Sequence, residues 1–388
     1  MFRLRKEIHG ILQRRKTKSY NPQSWGQVRN LSISKVSSSV SDQVKGTIFE
    51  IVVKKLLEKN EYEEIKPDNE QVDDRGRVRG RGEWHQIDAL GRWKYSIPFV
   101  YPIRLLCEAK CWNRPADLPV IRNFVGVMKD ISENYFVEDN QDIDKRMLSK
   151  RHTDSGAIFS VSGFTNRAQR YAYAHNIFLV SYENNPIIDD FRKGIEDVAQ
   201  FIQPSRRINK KRFARWFEDA WARNYIGYLD GNLVDREKFE NSLKILRGKF
   251  EEVNTSVVGI ASSVYPIHLL STHKIPKDLF QNTDDAYFRT SYRRTERGGH
   301  YFEIFPSDLP ETKFYFTVPE VILRKYSGFM QKFKMDFLNW IDIPVTLGPI
   351  RRLLRFKLDT EWLQSVYQQD LDERPEIYPR IKGLINSM

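Results

Sequence analysis

The stretch that decides the fold is Ile103-Arg-Leu-Leu-Cys-Glu-Ala-Lys-Cys-Trp112, mostly apolar yet carrying Glu108 and Lys110 two residues apart. Alternate residues of a β-strand share a face. Glu108 and Lys110 are therefore expected to project together, while Cys107, Ala109 and Cys111 project the other way. A carboxylate and an ammonium side by side on a half-buried strand cost desolvation energy. An interior strand carries such a pair when it has an ion partner, a metal or a phosphate to hold.

Upstream, Trp84 to Trp93 reads as a second strand with Asp88 inside it, between Ile87 and Ala89. Aspartate is unfavourable in strands and a lone buried carboxylate is costly, so Asp88 needs a partner. His85, on the same strand, is a weaker candidate for metal or DNA contact; a lone histidine is more often structural. Further back, residues 42–59 have helical periodicity, with Ser41 or Asp42 near the cap. Ile48, Phe49, Val52, Val53, Leu56 and Leu57 form the buried stripe. Glu50 lies at the edge of that stripe, either as a solvated boundary residue or aimed into a polar site beneath the helix.

Glu50, Asp88, Glu108 and Lys110 thus come from one helix and two strands. Carboxylates converging from separate elements make an oxygen-ligand site suited to Mg²⁺, which is commonly held by one or two carboxylates plus substrate phosphate. The chemistry implied is phosphodiester hydrolysis, with Lys110 orienting water or stabilising transition-state charge.

Composition agrees with a polyanionic partner. The 388-residue chain has a net charge of +12 and a pI of about 9.4, which favours nucleic acid first and an anionic membrane second. The run Asp73-Asp74-Arg75-Gly76-Arg77-Val78-Arg79-Gly80-Arg81-Gly82 reads as an irregular loop. It is either an exposed mobile turn or a phosphate grip, since each arginine can make bidentate contacts. The two cysteines, four residues apart on one strand, are too far separated for a disulfide, and no histidine pattern accompanies them for zinc. They read as buried reduced thiols of a cytoplasmic protein. No apolar run approaches the roughly 20 residues that span a bilayer. The first forty residues are basic and Ser-rich, with Glu7 the only acid before Asp42; a transit peptide, a nucleic-acid-binding arm and a disordered tail all fit that composition.

Beyond the central strand, Asp117 and Pro119 mark a helix start, with Val120, Phe124, Val127 and Ile131 on one face. Residues 138–153 read as a loop or loosely packed helix. Strand Ala157–Val161, turn, helix Arg167–His175 capped by Thr165 or Asn166, and strand Ile177–Ser181 give a βαβ-like rhythm that argues for an α/β sheet. Pro204-Ser205-Arg206-Arg207 reads as a boundary. Helices near 212–223 and 235–250, strand-like runs at 256–262, 301–305 and 313–318, and the basic segment Arg351-Arg352-Leu353-Leu354-Arg355-Phe356-Lys357 come after it. They suggest a C-terminal α+β domain with no specific task legible.

Asp88 followed by Glu108-Ala109-Lys110, after a helix bearing Glu50, resembles the Asp…(Asp/Glu)-x-Lys nuclease superfamily. Within it the chain looks most like Mrr-type restriction endonucleases. The likeness extends through Cys107–Trp112, the helix with Phe124 and Val127, the strand–turn–helix Ile158–Thr165 with Ala168 and Tyr171-Ala172, and the strand Ile177–Ser181. It covers about residues 42–185. Many Mrr-type members carry Gln where this chain has Glu108, while Glu is common in the wider superfamily.

The resemblance implies a restriction-endonuclease-like mixed β-sheet flanked by helices. It implies metal-binding roles for Asp88 and Glu108, a supporting one for Glu50, a catalytic one for Lys110, and Mg²⁺ (Mn²⁺ as substitute) as cofactor. It also favours residues 1–40 as a basic arm on nucleic acid. The expected division is then arm 1–40, nuclease domain 41–200, and a C-terminal α+β domain over 201–388 for DNA selection, regulation or oligomerisation. The expected activity is double-stranded DNA cleavage in restriction or anti-phage defence, with a homodimer to cut both strands. A structure-selective repair nuclease of the junction-resolvase kind and a non-catalytic DNA-binding sensor are the alternatives.

Overall fold

A computed structural model of the chain describes residues 25–65, 67–68, 71–95, 98–133, 151–202, 209–223, 227, 233–262, 265–294, 300–318, 339–347 and 350–359. Residues 1–24 of the expected 1–40 arm, most of the expected loop at 138–153, the Pro204–Arg207 boundary and residues 360–388 lie outside these, while residues 25–40 of that arm are helical.

The first half is built on a five-stranded mixed sheet of order β1-β4-β5-β6-β7, comprising Tyr62–Glu64, Ala89–Trp93, Ile103–Lys110, Thr153–Ser160 and Ile177–Ser181. β1 pairs antiparallel with β4 and β4 with β5, whereas β5, β6 and β7 are parallel. Helix α1 (Trp25–Lys59) covers one face. It starts well before Asp42, so Ser41 and Asp42 lie inside it and do not cap it. Its expected stripe is buried from Ile48 to Leu57 and packs on Cys107, Ala109, Phe159 and Val180. The opposite face takes α2 (Leu118–Ser132) and α3 (Asn166–Ala174), packed on Leu106, Ile158 and Leu179. The α3 cap is Thr165, whose hydroxyl accepts from the Ala168 N–H.

Three local expectations change. The buried face of α2 is Ile121, Phe124, Met128 and Ile131, in place of the set with Val120 and Val127. Apolar residues at both registers satisfy helical spacing, and the sheet selects the one facing it. The expected single strand 84–93 is broken at Ile87 and Asp88, giving β3 (Trp84–Gln86) and β4. The arginine run is not irregular throughout: β2 (Arg77–Arg79) pairs antiparallel with β3 in a separate two-stranded sheet. Val78, fully buried, anchors it to the core beneath α2.

The first core does not stop near residue 200. Helices α4 (Pro186–Ala199), α5 (Lys210–Arg223) and α6 (Arg236–Glu252) contribute Phe191, Phe213, Phe217, Phe239 and Leu246 to the same apolar cluster as α1. After Glu252 the described residues are all-β apart from one 3-10 turn (Lys277–Phe280). Strands β8 (Thr255–Ala261), β9 (Tyr265–Ser271), β10 (Asp285–Arg294), β11 (His300–Pro306), β12 (Phe314–Phe316), β13 (Trp340–Leu347) and β14 (Ile350–Leu358) form a closed barrel of order β10-β11-β12-β9-β8-β13-β14. The expected α+β half is therefore two helices attached to the first core, then a barrel with its own core of Phe288, Ile304, Phe314, Phe316, Ile341 and Phe356. β10 (Asp285–Arg294) and β14 (Ile350–Leu358), the latter containing the basic 351–357 segment, close it in parallel.

A buried polar cluster joins the barrel to the five-stranded sheet and α1. The Tyr182 hydroxyl lies 2.7 Å from His268 Nδ1, Ser256 Oγ is 2.9 Å from His268 Nε2, and Asn60 Nδ2 donates to Ser256 Oγ at 3.0 Å. Burial drops the His268 pKa to about 3, so the imidazole is neutral and serves as a hydrogen-bonding strut.

Gly156 on β6 is required by close packing. A Cβ there would sit 2.9 Å from Phe124 Cε1 and 3.0 Å from Met128 Sδ. Gly156→Ala is expected to cost about 1–3 kcal/mol through overpacking, read as a lower urea midpoint at unchanged slope. A midpoint equal to wild type would show that α2 yields without strain.

Candidate active site

The site forms where β4 begins and β5 ends. Asp88 sits at the break before β4. Its backbone N–H donates to the Cys107 carbonyl at 3.1 Å, and its Oδ2 accepts the Ala109 N–H at 3.0 Å. The carboxylate thus grips β5 where an uninterrupted strand would place another ladder contact, which is why an aspartate is tolerated here. Its side chain is only 9% exposed.

Glu108 and Lys110 project to the same side, as expected, and the Lys110 ammonium donates to Glu108 Oε1. The same ammonium is 4.0 Å from Asp88 Oδ2 and 5.6 Å from the centre of the Trp112 ring. Cys107 is buried with Ala109 on the α1 side. Its thiol is pushed well up by burial and by the charge of Asp88, so it is inert packing.

Glu50 reaches the cluster from α1. Burial, then the nearby charge of Asp88, raises its pKa to about 7. Burial and Asp88 likewise raise that of Glu108. Both shifts have the physical origin seen when carboxylates crowd a partly desolvated pocket.

The residue that sequence reading missed is Lys210, the first residue of α5. Its Nζ lies 2.8 Å from Glu50 Oε1 and 3.5 Å from Asp88 Oδ1. Burial works against its charge, but the hydrogen bond to Glu50 and the charge of Asp88 outweigh it and raise the pKa. The next residue, Lys211, donates to the Arg75 carbonyl at 2.9 Å and ties the start of α5 to the arginine hairpin. The only sequence signal was a basic cluster, and nothing in it pointed to a carboxylate 122 residues away.

Other expected contacts lie around this centre. His85 Nε2 is 2.7 Å from Asp130 Oδ2, so its role here is structural. Arg77 pairs with Asp73 at 2.8 Å and Arg81 with Glu133 at 2.7 Å. The guanidinium carbons of Arg77 and Arg79 lie 5.9 and 5.8 Å from the centre of the Trp84 ring. Arg75 is exposed beside them.

The carboxylate oxygens of Glu50, Asp88 and Glu108 are the hard donors that Mg²⁺ or Mn²⁺ take. Their affinity for cations is expressed here through two ammonium groups. Among the described residues, no three His, Cys, Asp or Glu side chains stand together as a metal-holding group. The residues fit a divalent cation in donor chemistry, and in this arrangement Lys110 and Lys210 take up the oxygens.

Residues 41–184 match the family model Mrr_cat, described as a restriction endonuclease. The match likens this segment to the catalytic domain of restriction endonucleases. Glu50, Asp88, Glu108 and Lys110 all fall within the Mrr-like segment, and Lys210 falls outside it. No curated protein and no solved structure matched the chain. Among the described residues no helix is long and apolar enough to cross a membrane.

Proposed function

We propose that the chain is a divalent-metal-dependent DNA endonuclease whose site is Asp88, Glu108 and Lys110, with Glu50 in support. The observation that carries this is that Lys110 and Lys210 link the carboxylates of Glu50 on α1, Asp88 at the break before β4 and Glu108 on β5, three residues within the segment that matches the restriction endonucleases. Asp88 and Glu108 would hold Mg²⁺ or Mn²⁺, and Glu50 would complete the set. A cation bound there would supply charge neutralisation at the scissile phosphate and a water of lowered pKa.

The protein's own contribution is position and charge. Asp88 is fixed by two backbone contacts, so its oxygens are preorganised. The Lys110 ammonium, moving from Glu108 to a phosphate oxygen, would stabilise the extra negative charge of the pentacoordinate transition state. In a partly desolvated site that contribution is worth more than in water. Arg75, Arg77, Arg79 and Arg81 are the expected DNA contacts. Surface ion pairs such as Arg81–Glu133 contribute at most about 1 kcal/mol, so phosphates can displace them. A role in restriction or anti-phage defence, with the barrel selecting DNA or controlling activity and two copies acting on the two strands, completes the reading.

Plasmid cleavage tests it. Wild type with Mg²⁺ should nick or linearise DNA and chelator should stop it; Asp88→Ala and Lys110→Met should each lose at least about 10²-fold. Variants that cut as fast as wild type would overturn the assignment.

A further inference from the structure

We propose that Lys210 is a placeholder for the divalent cation: metal and the Lys210 ammonium compete for Glu50 and Asp88, so α5 sets the metal affinity of the site. This rests on the reading of Asp88 and Glu50 as metal ligands. Lys210 Nζ engages one oxygen of each, at 2.8 and 3.5 Å. An oxygen lone pair directed at an ammonium is not available to Mg²⁺, which demands near-ideal short octahedral contacts. Two cations sharing those oxygens would also repel each other.

Lys110 does not duplicate the role. It belongs to β5, sits on Glu108 and approaches Asp88 only to 4.0 Å, on the other carboxylate oxygen. Removing Lys210 therefore frees one oxygen each of Glu50 and Asp88 while leaving the catalytic strand as it is.

Lys210 is also built to leave. It opens α5, its side chain is 52% exposed, and its four-carbon stem has several rotatable bonds. The helix body is held separately by Phe213, Phe217, Ala220 and Trp221 in the nuclease core. Exchange needs a rotation of one side chain and not a movement of the helix. A released ammonium beside the arginine hairpin would find its next partner in a DNA phosphate, so substrate and metal would favour each other's binding.

Calcium titration calorimetry without DNA separates the claims, using wild type, Lys210→Met, Lys210→Arg and Asp88→Ala, with circular dichroism to verify folding. Lys210→Met should bind Ca²⁺ at least about tenfold tighter than wild type, since a competing full charge is lost, and its metal-free melting temperature should fall. Lys210→Arg, which keeps the charge, should stay within about threefold of wild type. Equal Ca²⁺ affinity in wild type and Lys210→Met, with binding abolished by Asp88→Ala, would overturn the placeholder and leave the metal site standing. Binding that persists in Asp88→Ala, or no binding by any protein, would overturn both.

Discussion

Asp154→Ala is expected to cost about 3–5 kcal/mol of folding stability, the range for leaving one member of a buried ion pair uncompensated. Arg104 and Asp154 face each other across β5 and β6. Their side chains are 2% and 1% exposed, and two nitrogens of the guanidinium meet both carboxylate oxygens at 2.6 and 3.0 Å. Without the carboxylate, the side-chain hydrogen bond left to Arg104 among the described residues would be the one to Gln71 Oε1 at 3.3 Å. The double variant Arg104→Met/Asp154→Leu should recover most of the loss, because an apolar pair of similar volume carries no desolvation cost. Urea denaturation followed by tryptophan fluorescence measures both. A single variant within about 1 kcal/mol of wild type would mean that water reaches the pair.

Glu50→Gln is expected to stabilise the metal-free protein at pH 8 and to leave it unchanged at pH 4. Below pH 4.5 Glu50 is protonated in the folded and unfolded chains alike. As pH rises, the unfolded chain releases the proton near 4.5, but the folded chain only near 7. Stability therefore falls through the window from about 4.5 to 7 and is level above it. The span corresponds to a loss on the order of 2–3 kcal/mol, discounted for residual solvent at a side chain 16% exposed. Glu108, raised in the same direction, keeps part of the slope in the variant. Melting temperatures between pH 4 and 8, with chelator present, give the comparison. Parallel curves for the two proteins would show that Glu50 titrates at its ordinary value.

What the sequence disclosed was local. The α1 stripe, the Glu108/Lys110 face of β5 and the β6–α3–β7 unit each arise from periods of 3.6 or 2 within a dozen residues. The hairpin β2–β3 did not, because arginine and glycine hide a strand whose only core contact is Val78. The barrel was legible as strands but not as a closed sheet, since closure depends on β10 pairing in parallel with β14. Lys210 is the sharpest case. A half-exposed lysine at a helix start carries no pattern, and its significance exists only once α5 is laid against α1.

The barrel also governs how copies of the chain can associate. β7 ends the five-stranded sheet, and the carbonyls on its outer side are already engaged: Leu179 accepts from the Tyr265 hydroxyl at 2.7 Å and Ser181 from the Thr317 hydroxyl. At the opposite border β1 is three residues long and bears Glu63 and Glu64, a length and charge that discourage strand addition. The closed barrel offers no border of its own. Among the described residues, two molecules meeting on a DNA duplex would therefore join through helices, loops, the β2–β3 hairpin or the nucleic acid itself, and not by extending the five-stranded sheet or the barrel.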